Sequence, residues 1–228
     1  MNRLQSELHR LYMPPAANPG GVRLALLELA APADWSELAK VWRGVQLDLQ
    51  LPAPAIAVSG SDGMQLWFSL QAPASASQAA AFLERLRARY LPGVEPGRVR
   101  LLPSAAGGPF TVPPIPAQSQ PSGNWSAFVA PDLAPVFAEA PWLDIQPGAE
   151  GQADLLARLE SIKPAAFDAA MQALPPGAPD ATTQRPPSEA AAGTPDVDPK
   201  QFLQRVLNDE TVDLALRIEA AKALLQSR

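Results

Sequence analysis

Three groups of residues have types and spacings that chemistry can use. The first is Ser59-Gly60-Ser61-Asp62-Gly63 followed by Gln65, a small polar turn between two apolar runs. Backbone N–H groups in such a turn form an anion nest, so Ser59, Gly60, Gly63 and Gln65 are candidates for phosphate or nucleotide contact. The second is Glu28, an acid on an apolar strand and a candidate catalytic remnant. The third is an arginine cluster. Arg85, Arg87, Arg89, Arg98 and Arg100 lie within sixteen residues, against Glu84 and Glu95. With Trp67 offering a ring on which a base can stack, they form a candidate nucleic-acid-binding surface. For each group a plainer role is open: a hairpin turn, an exposed strand end, a solvated helix face, and a tryptophan covered by another segment.

Composition narrows the chemistry. The chain has 228 residues, 47% of them apolar, enough for one large domain or two small ones. It has no cysteine, hence no disulfide, thiolate metal site or cysteine nucleophile, and its one histidine, His9, cannot build a histidine-rich metal centre. The net charge of −5 opposes strong non-specific nucleic-acid binding, so any arginine patch must act locally. No apolar run approaches the roughly 18 residues of a membrane span. The opening MNRLQSELHRLYMPP has no signal-peptide apolar stretch, and a soluble cytoplasmic protein is expected. No cofactor-binding fingerprint or Walker loop is present, so neither a cofactor nor a metal is expected.

The elements that must position these residues follow from periodicity. Leu4, Leu8, Leu11 and Tyr12 make a short amphipathic helix over residues 2–12 that ends before Pro14-Pro15. Docking on the domain is its expected role, with partner binding as the alternative. Residues 22–29 read as a buried strand. Asp34 caps a helix, with Glu37 completing a capping box. Its face is Trp35, Leu38, Trp42, Val45 and Leu49, and Pro52 and Pro54 end it. Residues 55–59 and 64–70 form a hairpin around Ser61-Asp62-Gly63. Ser77 caps a further helix, whose inner face is Ala79, Phe82, Leu83, Leu86 and Tyr90, and residues 98–102 are the next strand. The order β-α-β-β-α-β predicts an α+β, ferredoxin-like core. Alternation places Met64, Leu66, Phe68 and Leu70 toward the helices, and Gln65, Trp67, Ser69 and Gln71 on the opposite face. On that reasoning Glu28 shares a face with Val22, Leu24 and Leu26.

Residues 103–150 are proline-rich yet carry Trp125, Phe128, Phe137 and Trp142, which predicts an ordered irregular extension packed on the core. The 27 prolines exceed the roughly 5% average usage and cluster. Two helices follow, over 152–162 and 164–174. The expected organisation is a domain over 1–174, a disordered linker over 175–197 and a helical tail over 198–228. The linker has no large apolar residue except Val197. In the tail Asp198 caps a helix that opens on Pro199. Phe202, Val206, Leu216 and Leu224 lie on its stripes and are candidate contacts for a protein partner.

Strand, helix and then Ser-Gly-x-x-Gly-h-x-h-h is similar to the polymerase domain of bacterial multidomain DNA-repair ligases, within the archaeo-eukaryotic primase superfamily. The resemblance covers roughly residues 20–102. It implies metal-binding acids at the end of the first strand, a Ser-Gly turn and a histidine that contact nucleotide phosphates, and a later acid. Ser59, Gly60 and Gly63 match the turn, and Gln65 stands where the histidine would be. Leu26 replaces the first aspartate, and Glu28 stands at the second. No acid follows in the strand at 98–102; Glu95 is the nearest. Two-metal phosphoryl transfer needs several hard oxygen ligands, which one glutamate does not supply. The expectation is therefore a degenerate active site in a non-catalytic, primase-like, nucleic-acid-associated protein. The tail loosely resembles helical segments of phage and prophage proteins, which implies a phage, plasmid or integrated-element origin. Two alternatives stand beside this: an adaptor that acts through its terminal helices without binding nucleic acid, and an active nucleotidyltransferase with an atypical metal site.

Overall fold

The structure, a computed structural model, describes residues 2–175 apart from 17–19, 106, 108 and 109. The expected linker and helical tail, with Phe202, Val206, Leu216 and Leu224, lie outside the described residues. The fold is α+β. In chain order the elements are α1 (Arg3–Tyr12), β1 (Val22–Ala30), α2 (Trp35–Leu47), β2 (Ala55–Val58), β3 (Gly63–Ala74), α3 (Ala76–Tyr90), β4 (Val99–Leu102), β5 (Ala127–Val129), α4 (Ala149–Ala157) and α5 (Pro164–Ala173). The five strands form one sheet in the order β4-β1-β3-β2-β5, and every pairing is antiparallel.

The helix boundaries have local causes. Asn2 starts α1 with a reciprocal capping box to Gln5. Asp34 accepts from the Ser36 N–H at 2.7 Å and starts α2. The expected capping box does not form there, because Glu37 instead pairs with Lys40 at 2.6 Å. The cap of α3 is Ser75 rather than Ser77. Ser75 takes the Gln78 N–H at 3.1 Å while the Gln78 side chain returns to the Ser75 N–H at 3.0 Å. Ser77 has no glutamine at the matching offset, so the box selects Ser75.

Each face of the sheet carries its own core, because period 2 divides the strands between them. On one face Leu27, Leu29, Met64, Leu66 and Phe68 pack with Leu38, Val41 and Val45 of α2 and with Phe82, Leu83 and Leu86 of α3. Phe167 of α5 joins this core, its ring 5.2 Å from that of Phe82. On the other face Leu24, Leu26, Ala57 and Trp67 pack with Leu4, Leu11 and Tyr12 of α1, Phe128 of β5, and Leu156 of α4. Val22 lies in the first core and not beside Leu24, because the β1–β3 register shifts between Val22 and Leu24.

The second core explains α1. Its last turn gives the Leu11 carbonyl to the Ser69 hydroxyl at 2.7 Å. Arg10 donates to the Leu156 carbonyl at 3.0 Å and to the Leu159 carbonyl at 3.2 Å, satisfying the C-terminal end of α4. The 103–150 segment packs on the core as expected, but it also holds a strand that the sequence reading missed. The edge of β5 is closed by Gln152, whose amide accepts the Phe128 N–H at 2.7 Å and donates to the Phe128 carbonyl at 2.9 Å. No helix among the described residues is long and apolar enough to cross a membrane.

Candidate functional site

The polar residues singled out by sequence meet at one end of the second face, through strand register. Glu28 of β1 stands opposite Gln65 of β3 on one side and Arg100 of β4 on the other. Glu28 Oε2 accepts from Gln65 Nε2 at 2.6 Å, and Gln65 Oε1 accepts the Trp67 indole N–H at 2.8 Å. These two neighbours fix the orientation of the Gln65 amide, since the carboxylate only accepts and the indole only donates. The other oxygen, Glu28 Oε1, accepts from Arg100 Nη1 at 2.6 Å. Arg100 then reaches Asp62 in the turn, at 3.2 and 3.1 Å to its two oxygens.

Glu28 is thus nearly buried and paired, which is the condition for keeping a charge out of water. The hydrogen bond from Arg100 holds the Asp62 carboxyl below the usual carboxylate range and, with that to Glu28, raises the Arg100 pKa. Gly63 makes room for this arrangement. A Cβ there would lie 2.8 Å from Glu28 Cγ and Oε1.

The turn itself is internally satisfied. Ser59 Oγ accepts from the Gly63 N–H at 2.9 Å and the Ser61 N–H at 3.2 Å. The Ser59 N–H donates to the Gly63 carbonyl at 2.9 Å, and the Gly60 N–H donates to the Pro141 carbonyl at 3.1 Å. Gly60 has φ +81°, and a Cβ there would come 2.7 Å from the Ser126 backbone nitrogen. The glycine is therefore required by the turn and by the chain lying against it. A phosphate arriving at this turn would meet donors that are already used.

The other expected residues stand as follows. Trp67 is 1% exposed, which corrects the expectation of an accessible stacking ring. Its ring lies 5.2 Å from that of Tyr12 and 5.3 Å from that of Phe128, both edge-on. The extension supplies part of this cover, as the sequence reading allowed, and α1 supplies the rest. The arginines do not converge on that face as free charges. Arg85 donates to the Met171 carbonyl. Arg87 pairs with Glu84 at 2.8 Å, and Arg89 with Asp48 at 3.3 Å while lying over the Tyr90 ring. Arg98 donates to the Pro32 carbonyl at 2.6 Å.

The donor set does not fit a two-metal centre. Leu26 is buried in the apolar core where the first acid would stand, both Glu28 oxygens are engaged, and Glu95 is exposed at the start of a separate turn. Arg100 Nη1, between Glu28 and Asp62, supplies the positive charge those carboxylates need. Among the described residues no group of three or more His, Asp or Glu side chains is placed to hold a metal ion.

Beside the Gln65–Trp67 hydrogen bond the surface opens into a cleft of about 180 Å³ lined by residues including Ser59, Gln65, Ile115, Ser119 and Ser126. The sequence reading missed the role of Arg100 as the partner of Glu28 and Asp62, and all of the cleft contributed by 113–126. The first had a signal, since opposite charges on neighbouring strands pair when the register places them opposite one another. The second had none, because 113–126 is irregular and its path is set by tertiary contacts.

No protein-family model matches the chain, and no curated protein matches it.

Proposed function

We propose that this chain is a non-catalytic, primase-like scaffold that acts as a protein-interaction adaptor. The observation that carries the reading is the occupation of the face where chemistry or a nucleic-acid strand would need access. Trp67 is enclosed by Tyr12 and Phe128, and Arg100 engages Glu28 and Asp62. A sheet face that serves as a second core leaves the outer surface for function. That surface carries Leu133, Val136 and Ile145, which are 51%, 72% and 75% exposed. Leu133 caps the 3₁₀ turn Ala134–Phe137 and Val136 lies within it, a spacing of three that places them on the same side. A cytoplasmic setting is part of this proposal.

The strand order β4-β1-β3-β2 supports the finer reading of the first four strands as a ferredoxin-like unit, with β5 added at the edge of β2. That same order favours a second reading, nucleic-acid association of a mobile-element protein, because it is the frame that the primase resemblance implies. Fluorescence anisotropy separates the two. On the adaptor reading, labelled single-stranded DNA and RNA show no binding at low salt up to tens of micromolar protein. Salt-sensitive binding weakened by replacing Arg85 and Arg89 would overturn the adaptor reading and favour the second.

A further inference from the structure

The cleft beside Gln65 has a chemistry of its own. None of the side chains that line it is charged, so a phosphate or carboxylate would find no counter-ion there. Its apolar part includes Pro113, Pro114, Ile115 and Ala117 beside the Trp67 ring, and its polar part is amide and hydroxyl. Gln65 is 8% exposed, and its orientation is fixed by Glu28 and Trp67. Each of those bonds uses half of one end of the amide. One N–H and one acceptor lone pair of Gln65 remain on the same amide group. Ser119 adds a hydroxyl with no partner among the described residues. At about 180 Å³ the cleft slightly exceeds the roughly 150 Å³ of an engineered cavity that admits benzene, so it holds one six-membered ring.

We propose that this cleft is a binding site for a neutral cyclic amide, a single ring with adjacent C=O and N–H groups that pairs with the Gln65 amide edge. Two paired amide edges satisfy one donor and one acceptor on each side, as glutamine does when it reads a base edge. The proline and isoleucine side chains cover the ring faces. Such a ligand comes from two sources, a pyrimidine base or a lactam, which share this edge. The inference goes beyond the scaffold reading and stands without it.

The test uses the full chain and ligand-observed NMR with uracil, uridine and 2-piperidone, together with the chemical shift of the Trp67 indole N–H. Binding is expected to be weak, on the order of millimolar, since one small ring makes few contacts. Binding of uracil alone assigns the source as a base, and binding of 2-piperidone assigns it as a lactam. Ser119→Phe fills the cleft without removing a hydrogen bond and should weaken binding by about tenfold or more. Gln65→Leu should do the same and, if that variant unfolds, Ser119→Phe still decides. The proposal is overturned if neither ring binds the folded protein at about 10 mM, well above the expected range. It is equally overturned if toluene binds as well as uracil, if Ser119→Phe binds undiminished, or if uridine monophosphate binds about tenfold more tightly than uridine.

Discussion

Replacing Arg100 by methionine tests whether the Glu28–Arg100–Asp62 network holds the end of the sheet together. Methionine keeps most of the side-chain length and removes only the guanidinium. The Glu28 side chain is 10% exposed and that of Arg100 is 57% exposed. Breaking a fully buried pair costs about 3–5 kcal/mol, an upper bound here because water can replace an exposed guanidinium. A hydrogen bond to a charged group contributes about 1.5–3 kcal/mol, and the half-exposed Asp62 contact about 0–1 kcal/mol. The expected loss is about 2 kcal/mol. For a folded unit of this size that lowers the melting temperature by roughly 4–8 °C. Urea unfolding followed by circular dichroism measures it as a lower midpoint at unchanged slope. Glu28→Gln removes the charge while leaving an oxygen for Gln65, so the double variant should lose less than the sum of the single losses. A coupling of about 1 kcal/mol or more is expected. Arg100→Met within about 0.5 kcal/mol of the parent, with no coupling to Glu28→Gln, would refute the reasoning.

The remaining predictions are independent of that network. Gly60→Ala should destabilise by at least about 1–2 kcal/mol in urea, because alanine is strained at φ +81° and its Cβ meets the Ser126 backbone; an unchanged midpoint would contradict this. Tyr12→Phe should be neutral or stabilising, since the buried Tyr12 hydroxyl has no hydrogen-bond partner; a loss above about 1 kcal/mol would show that the hydroxyl is bonded. Burial and the nearby Asp48 push the Tyr90 pKa up to about 12, above its ordinary value near 10. The stability Tyr90 contributes is therefore complete below about pH 10 and is lost as the pH rises toward 12, and Tyr90→Phe should flatten that alkaline decline in thermal melts.

Much of the fold could be read from periodicity, because each long element has a strong apolar pattern. The faces of β3 followed from alternation alone, and Asp34 was identifiable as a cap by residue type. Val22 was misplaced because a bulge breaks the alternation on which the reading depended. The three-residue β5 carries too little pattern to stand out among prolines, and it exists because β2 offers it an edge. The candidate site was legible as a set of residues but not as a state. Glu28, Gln65, Trp67 and Arg100 do converge, yet whether Trp67 is open depends on Tyr12 and Phe128. Those residues lie 55 and 61 positions away in the chain. Of the arginines counted as a positive patch, Arg89 and Arg100 are paired with acids, and Arg85 and Arg98 are tied to carbonyls, that only the tertiary fold brings near.

The central claim is that the face bearing Trp67 is a core and not a platform on which a nucleic-acid strand stacks. Hydrogen exchange of the Trp67 indole N–H, measured by NMR with and without a single-stranded oligonucleotide, tests it directly. The N–H is bonded to Gln65 and its ring is 1% exposed. Exchange should be orders of magnitude slower than for the half-exposed Trp142 and unchanged by the oligonucleotide. Exchange as fast as that of Trp142, or a rate that responds to tens of micromolar oligonucleotide, far below the millimolar range expected of a single ring in the cleft, would contradict the account.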